Sequence, residues 1–192
     1  MKYFYSLLLL LLTISYVFAQ QRAWSINPQR SKLAFVTTHL RSNITGYIDQ
    51  FTAKIFAANP DMSDASIEII ANVYSFNSSV STTDQRFMAA EFFNVAKYPV
   101  MTFKSTSLVK TNVNTYRISG MLELHGVTEY VALVMKYKDS FYDSSSTFHP
   151  VSVQISADLD RQLFNIGKTY SPNLIANKMQ LIADLEFMLA DN

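Results

Sequence analysis

Three histidines, His39, His125 and His149, are the side chains best suited to hold a metal or move a proton. Three imidazoles around one open position would make a catalytic zinc site. Their spacing argues against it: no His-x-His or His-x-x-x-His pair occurs, His125 falls in a turn and His149 in a loop. No metal ligands are assigned, and a turn hydrogen bond is the role expected of His125. Serine and aspartate are present too, but no Gly-x-Ser-x-Gly elbow presents a nucleophile. Cysteine is absent, which removes thiolate catalysis and cysteine-ligated zinc. Arg161 follows Asp160 at a strand-to-loop corner and reads as a structural contact in preference to a ligand contact. No catalytic residue is assigned.

Any such group needs a frame, and a period of two supplies it. Tyr116, Ile118, Gly120, Leu122 and Leu124 share one face; past His125-Gly126, so do Val131, Leu133, Met135 and Tyr137. Successive strand side chains point to opposite faces, so this is an antiparallel hairpin with glycine in the turn. The same alternation predicts strands over 31–39, 47–57, 66–76, 101–108, 151–159 and 179–188. Asn43-Ile44-Thr45-Gly46 and Asn59-Pro60-Asp61 read as turns. Residues 81–93 change character and predict a helix of two to three turns, with Thr82 or Thr83 as N-cap. Residues 139–150 and 168–177 read as loops. About eight strands in hairpin order close most simply into an antiparallel barrel, because closure removes exposed edges. The fold expected is all-β, an eight-stranded barrel with a short helical insertion.

Residues 1–19 stand apart. Lys2 precedes an apolar run to Phe18, and Val17-Phe18-Ala19 fits a small-x-small cleavage rule. This predicts a cleaved secretory signal peptide. Residues 20–192 form one domain, with no repeat or linker. Without Lys2, basic and acidic residues balance at 15 each. That excludes the basic stripe of a nucleic-acid binder and electrostatic attachment to anionic membranes. Alternation alone does not separate a soluble barrel from an outer-membrane one, which places apolar residues outward.

Four stretches then resemble the YceI-like family of bacterial lipocalin-like, polyisoprenoid-binding proteins. They are Ile26-Asn27-Pro28 with Ser31, Phe35, His39 and Gly46; the run Glu91-Phe92-Phe93-Asn94-Val95-Ala96-Lys97-Tyr98-Pro99-Val100-Met101-Thr102-Phe103-Lys104-Ser105; the hairpin at 120–128; and Asp160-Arg161 followed by Phe164-Asn165-Ile166. They occur in the family's order across nearly the whole chain. The helical insertion departs from the family's Arg-Asp-x-His-Leu-like run, reading Asp84-Gln85-Arg86-Phe87-Met88, so the family's polar contact there is not carried over.

The resemblance implies a lipocalin-like barrel around a tunnel holding an isoprenoid or similar long-chain amphiphile, without cofactor or catalysis. It also implies periplasmic or secreted localisation, no stable membrane insertion, and room for a homodimer. The inward positions expected to line the tunnel are Leu33, Phe35, Phe103, Ile118, Leu122, Leu133, Met135, Val153, Ile155, Leu181 and Leu185. Phe87 and Phe92, with Met88 and Phe93, are expected at one mouth. From periodicity alone the inward residues read as a solid core, since interiors are normally packed; the tunnel rests on the resemblance. An outer-membrane barrel, or a hydrolase on the same fold, is the alternative.

Overall fold

The computed structural model describes residues 22–40, 42–59, 64–138 and 150–189. The leader expected at 1–19, the loop at 139–149 and His149 lie outside them. The described strands are β1 (Arg22–Ile26), β2 (Lys32–His39), β3 (Ser42–Ile48), β4 (Phe51–Ala57), β5 (Ser66–Asn72), β6 (Phe76–Asn77), β7 (Val100–Asn112), β8 (Thr115–Leu124), β9 (Val127–Tyr137), β10 (Val151–Asp160) and β11 (Ile175–Leu189). Among the described residues one α-helix, α1 (Ser81–Met88), lies between β6 and β7.

The strands run β1-β4-β5-β7-β8-β9-β10-β11, and β11 pairs back to β1, so the sheet closes on itself. Every pairing is antiparallel. β1 and β2 lie end to end along one edge of β11: Trp24 opposes Leu189, and Leu33 opposes Ala183. β3 and β4 run end to end beside them, as Ala34 opposes Tyr47 and Trp24 opposes Ile55. The segments therefore fill the eight positions of a closed barrel.

The alternation read from sequence sets the inside. Ile118, Leu122 and Leu124 on β8, Leu133 and Met135 on β9, and Met179, Leu181, Ala183, Leu185 and Phe187 on β11 are all buried. Burying each large side chain contributes about 1.5–3 kcal/mol. The intervening residues face outward, and there Lys104 pairs with Glu68 at 2.8 Å, Lys178 with Asp158 at 2.7 Å, and Lys138 with Asp184. Among the described residues no helix is long and apolar enough to cross a membrane.

Three local expectations are corrected. Residues 43–46 form no turn: they lie within β3, and the chain reverses beside Leu40, whose φ is 56°. Gly46 serves close approach instead, because a Cβ there would sit 2.1 Å from the Phe76 ring. The strand expected over 47–57 breaks between Ile48 and Phe51, where the backbone bonds sideways, Asp49 N–H to Ser75 O and Gln50 N–H to Ser75 Oγ. Neither Thr82 nor Thr83 caps α1; Val80 holds that position without a side-chain bond. Asp84 fixes the entry, its carboxylate accepting from Ser78 N–H at 2.7 Å and Ser78 O–H at 2.5 Å.

Candidate functional site

One end of the barrel gathers the segments with irregular backbone: the β2–β3 reversal, α1 with residues 89–99, the β8–β9 hairpin, and the β10–β11 connection at 161–174. Each is held by a specific contact. His125 and Gly126 both take positive φ, 54° and 71°, giving the two-residue reversal that suits a twisted hairpin. The His125 ring stacks near Tyr98 with centroids 4.5 Å apart, and its Nδ1 lies 2.9 Å from Phe164 O. A carbonyl only accepts, so Nδ1 carries the proton. Nε2 is then a bare lone pair, buried and without a partner among the described residues. Burial lowers the His125 pKa from its ordinary value; Lys97 adds to this and the Phe164 bond opposes it. The hydrogen bond expected of His125 exists, but it reaches across to the β10–β11 connection.

Arg161 organises that connection. It is fully buried, at 0% exposure, and donates only to backbone carbonyls. Nε bonds Ala176 O, one terminal nitrogen bonds Ile166 O and Gly167 O, and the other bonds Tyr170 O and Ile175 O, at 2.5–3.0 Å. All five N–H donors are used. Burial lowers its pKa, and Asp160 partly offsets this. The role expected of Arg161, a structural backbone contact, is the one observed. Its consequence is that 168–177 is no free loop: it wraps the guanidinium and sets Ile175 inside.

Beneath α1 lies a phenylalanine cluster. Phe87 stacks on Phe76 at 5.2 Å and tilts against Phe92 at 4.4 Å; Phe92 meets Phe93 edge-on at 5.0 Å, and Phe93 reaches Phe35 at 5.7 Å. Such offset and edge contacts add about 0.5–1.5 kcal/mol per pair beyond burial. The cluster joins the inner face of β2 to the helix.

Between α1, the β2–β3 reversal and the 170–175 wall, a cleft of about 440 Å³ opens on this cluster. Its floor and walls are apolar: Phe87, Phe92, Ile44, Leu174, Ile175 and the Tyr170 ring. Its polar lining is His39, Thr83 and Arg86. That volume lies within the usual range for small-molecule pockets, about 300–1,000 Å³. Thr37 shares the β2 face with Phe35 and His39, and its hydroxyl is buried with no partner among the described residues. A second cleft of about 270 Å³, lined by Leu33, Tyr47 and Ile48 among others, lies where the β1–β4 and β2–β3 pairs part.

All thirteen side chains expected to line a tunnel are buried. Phe87 and Phe92 line the larger cleft and Leu33 the smaller. The other ten, Phe35, Phe103, Ile118, Leu122, Leu133, Met135, Val153, Ile155, Leu181 and Leu185, belong to the continuous apolar interior. Sequence reasoning missed Ile44, Thr83, Arg86, Tyr170, Leu174 and Ile175. A tyrosine and an adjacent Leu-Ile pair inside a supposedly exposed loop were the signal. Among the described residues no three His, Asp or Glu side chains gather around one point.

The model of the YceI-like domain matches residues 24–187. An UPF0312 protein of Ectopseudomonas mendocina is 34% identical over 112 residues, which span 57% of this chain and 58% of that one. The chain thus matches little more than half the length of that relative. An UPF0312 protein of Yersinia pestis is 26% identical over 159 residues, 82% of this chain and 81% of that one. Among solved structures, the Campylobacter jejuni YCEI protein superposes with a TM-score of 0.72 at 20% identity, covering 80% of this chain and 90% of that one. A polyisoprenoid binding domain from Saccharophagus degradans gives 0.65 at 17% identity, covering 88% and 99%. At these identities the likeness is one of fold.

Proposed function

The chain belongs to the YceI-like family, and from that footing we propose that it is a non-catalytic binding protein for a polyisoprenoid or similar long-chain amphiphile, exported by a leader at 1–19. The observation that carries this reading is the cleft at the capped end. Its floor, Phe87 and Phe92, is part of the aromatic cluster that continues into the barrel through Phe93 and Phe35. A chain entering there meets apolar surface from the first atoms inward, and each buried CH₂ contributes about 0.8 kcal/mol. The thirteen buried positions are the proposed lining, and Met135 and Met179 supply side chains that adapt to an irregular guest. The similar Saccharophagus domain is described as polyisoprenoid binding, which supports the substrate class.

The polarity of the wall favours this reading over an outer-membrane barrel. Apolar residues point in and the ion pairs point out, the reverse of a membrane-spanning barrel with a polar lumen. The test is organic extraction of purified protein followed by mass spectrometry, then titration of the emptied protein with geranylgeraniol. A co-purifying lipid and saturable uptake, both lost in Leu133→Arg, are expected. A protein that emerges empty and takes up no prenyl alcohol overturns the reading.

A further inference from the structure

The cleft is chemically one-sided. None of its nine lining residues is acidic, and two of them, Arg86 and His39, can carry positive charge. Arg86 lies one helical turn from Thr83, so both present donors from one face of α1. The described ion pairs occupy Arg30, Lys104, Lys138 and Lys178, and Arg86 takes part in none of them. The nearby carboxylate of Asp84 is committed to Ser78.

The opposite wall sharpens the asymmetry. Tyr170 and Ile175 both line the cleft, and their carbonyl oxygens, the natural acceptors there, are taken by Arg161 at 2.9 and 3.0 Å. That wall offers a visiting donor little to bond. Behind it sits a second guanidinium, hydrogen-bonded only to carbonyls and partly balanced by Asp160. A cavity with low-dielectric walls and charge of one sign focuses potential on its interior.

We propose that the cleft recognises the acidic head of its amphiphile, a carboxylate or a phosphate ester, with Arg86 as the pairing cation and Phe87 and Phe92 receiving the start of the chain. This rests on the lipid-binding reading above and narrows it to an anionic class. A guanidinium presents a planar fork that matches either oxyacid, so the two sources share one recognition chemistry.

The experiment uses matched probes on emptied protein: oleate against oleyl alcohol, and farnesyl phosphate against farnesol, by calorimetric titration at low salt. Wild type is expected to bind at least one acid about 10- to 100-fold more tightly than its alcohol, the range for a charge-assisted hydrogen bond. Which acid shows the gap distinguishes carboxylate from phosphate. Arg86→Gln closes the gap by weakening the acid, and Arg86→Lys keeps part of it. Arg30→Gln, at the opposite end of β2, leaves the gap intact. Equal binding of acid and alcohol by wild type overturns the acidic-head proposal and leaves lipid binding standing, as does a parallel loss of both in Arg86→Gln. Failure of all four probes to bind overturns both.

Discussion

His125 and Phe164 are 39 residues apart in sequence and joined by one hydrogen bond, Nδ1–H to the Phe164 carbonyl at 2.9 Å. The bond fastens the β8–β9 hairpin to the β10–β11 connection. It also fixes which ring nitrogen is left bare, and that nitrogen is buried.

This tautomer predicts an acid-side loss of stability. Burial lowers the folded pKa of His125 below its ordinary 6.5. The unfolded chain then binds the proton more readily than the folded one. The histidine's contribution is complete above about pH 6.5 and declines as pH falls through the lower, folded value. Urea midpoints measured from pH 8 to pH 5 should show this decline. Asn tolerates the positive φ at this position and cannot titrate, so His125→Asn should flatten that part of the profile, at a cost of about 1 kcal/mol at pH 8.

Arg161→Met should be among the most damaging single changes. It leaves a set of buried carbonyls without donors, at about 1–3 kcal/mol each. A loss of at least 3 kcal/mol in denaturant titrations is expected by that count. Arg161→Lys should recover only part of it, since an ammonium has three donors where the guanidinium uses five. Full stability in the Lys variant would show that charge, and not the spread of donors, holds the 161–177 segment.

Gly46 and Gly120 predict the same kind of loss on substitution but opposite responses to rescue. A Cβ at Gly46 meets the Phe76 ring, whereas one at Gly120 meets the Lys104 carbonyl at 2.3 Å. Gly46→Ala should cost about 1–3 kcal/mol, and Phe76→Leu in the same chain should restore much of it. Gly120→Ala has backbone in its way, so no side-chain change nearby should rescue it. Thermal melts of the single and double variants settle the comparison.

Phe87 packs against Phe76, Phe92 and Phe93 and also floors the cleft. Phe87→Ala should destabilise the barrel by about 3 kcal/mol. Phe87→Leu should keep most of the stability. If the cleft is the entry for an apolar chain, Phe87→Leu should still weaken geranylgeraniol binding by several-fold. Unchanged affinity would place the chain elsewhere.

The barrel was legible because its inner residues obey the pleat. Leu33, Phe35, Ile118, Leu122, Leu181 and Leu185 are buried where alternation puts them. The breaks were not legible. Nothing in the type of Gly46 separates a turn glycine from one that admits Phe76, and the division of 47–57 depends on bonds to Ser75, distant in sequence. The cleft was half legible. Phe87 and Phe92 came from the helical insertion; the apolar types of Tyr170, Leu174 and Ile175 hinted at burial, but they reach the cleft because Arg161 folds that segment around itself, a tertiary placement the local pattern does not give.

The closing strand, β11, is also the last of the described strands in chain order. It alone touches β10 on one edge and both β1 and β2 on the other. Until it emerges, the preceding strands are an open ribbon with two raw edges and an oily face in water. Assembly therefore waits on this strand, which joins the first of the described strands to the last. Such non-local pairing slows folding, so the greatest danger to this molecule is the interval just before its ring is sealed.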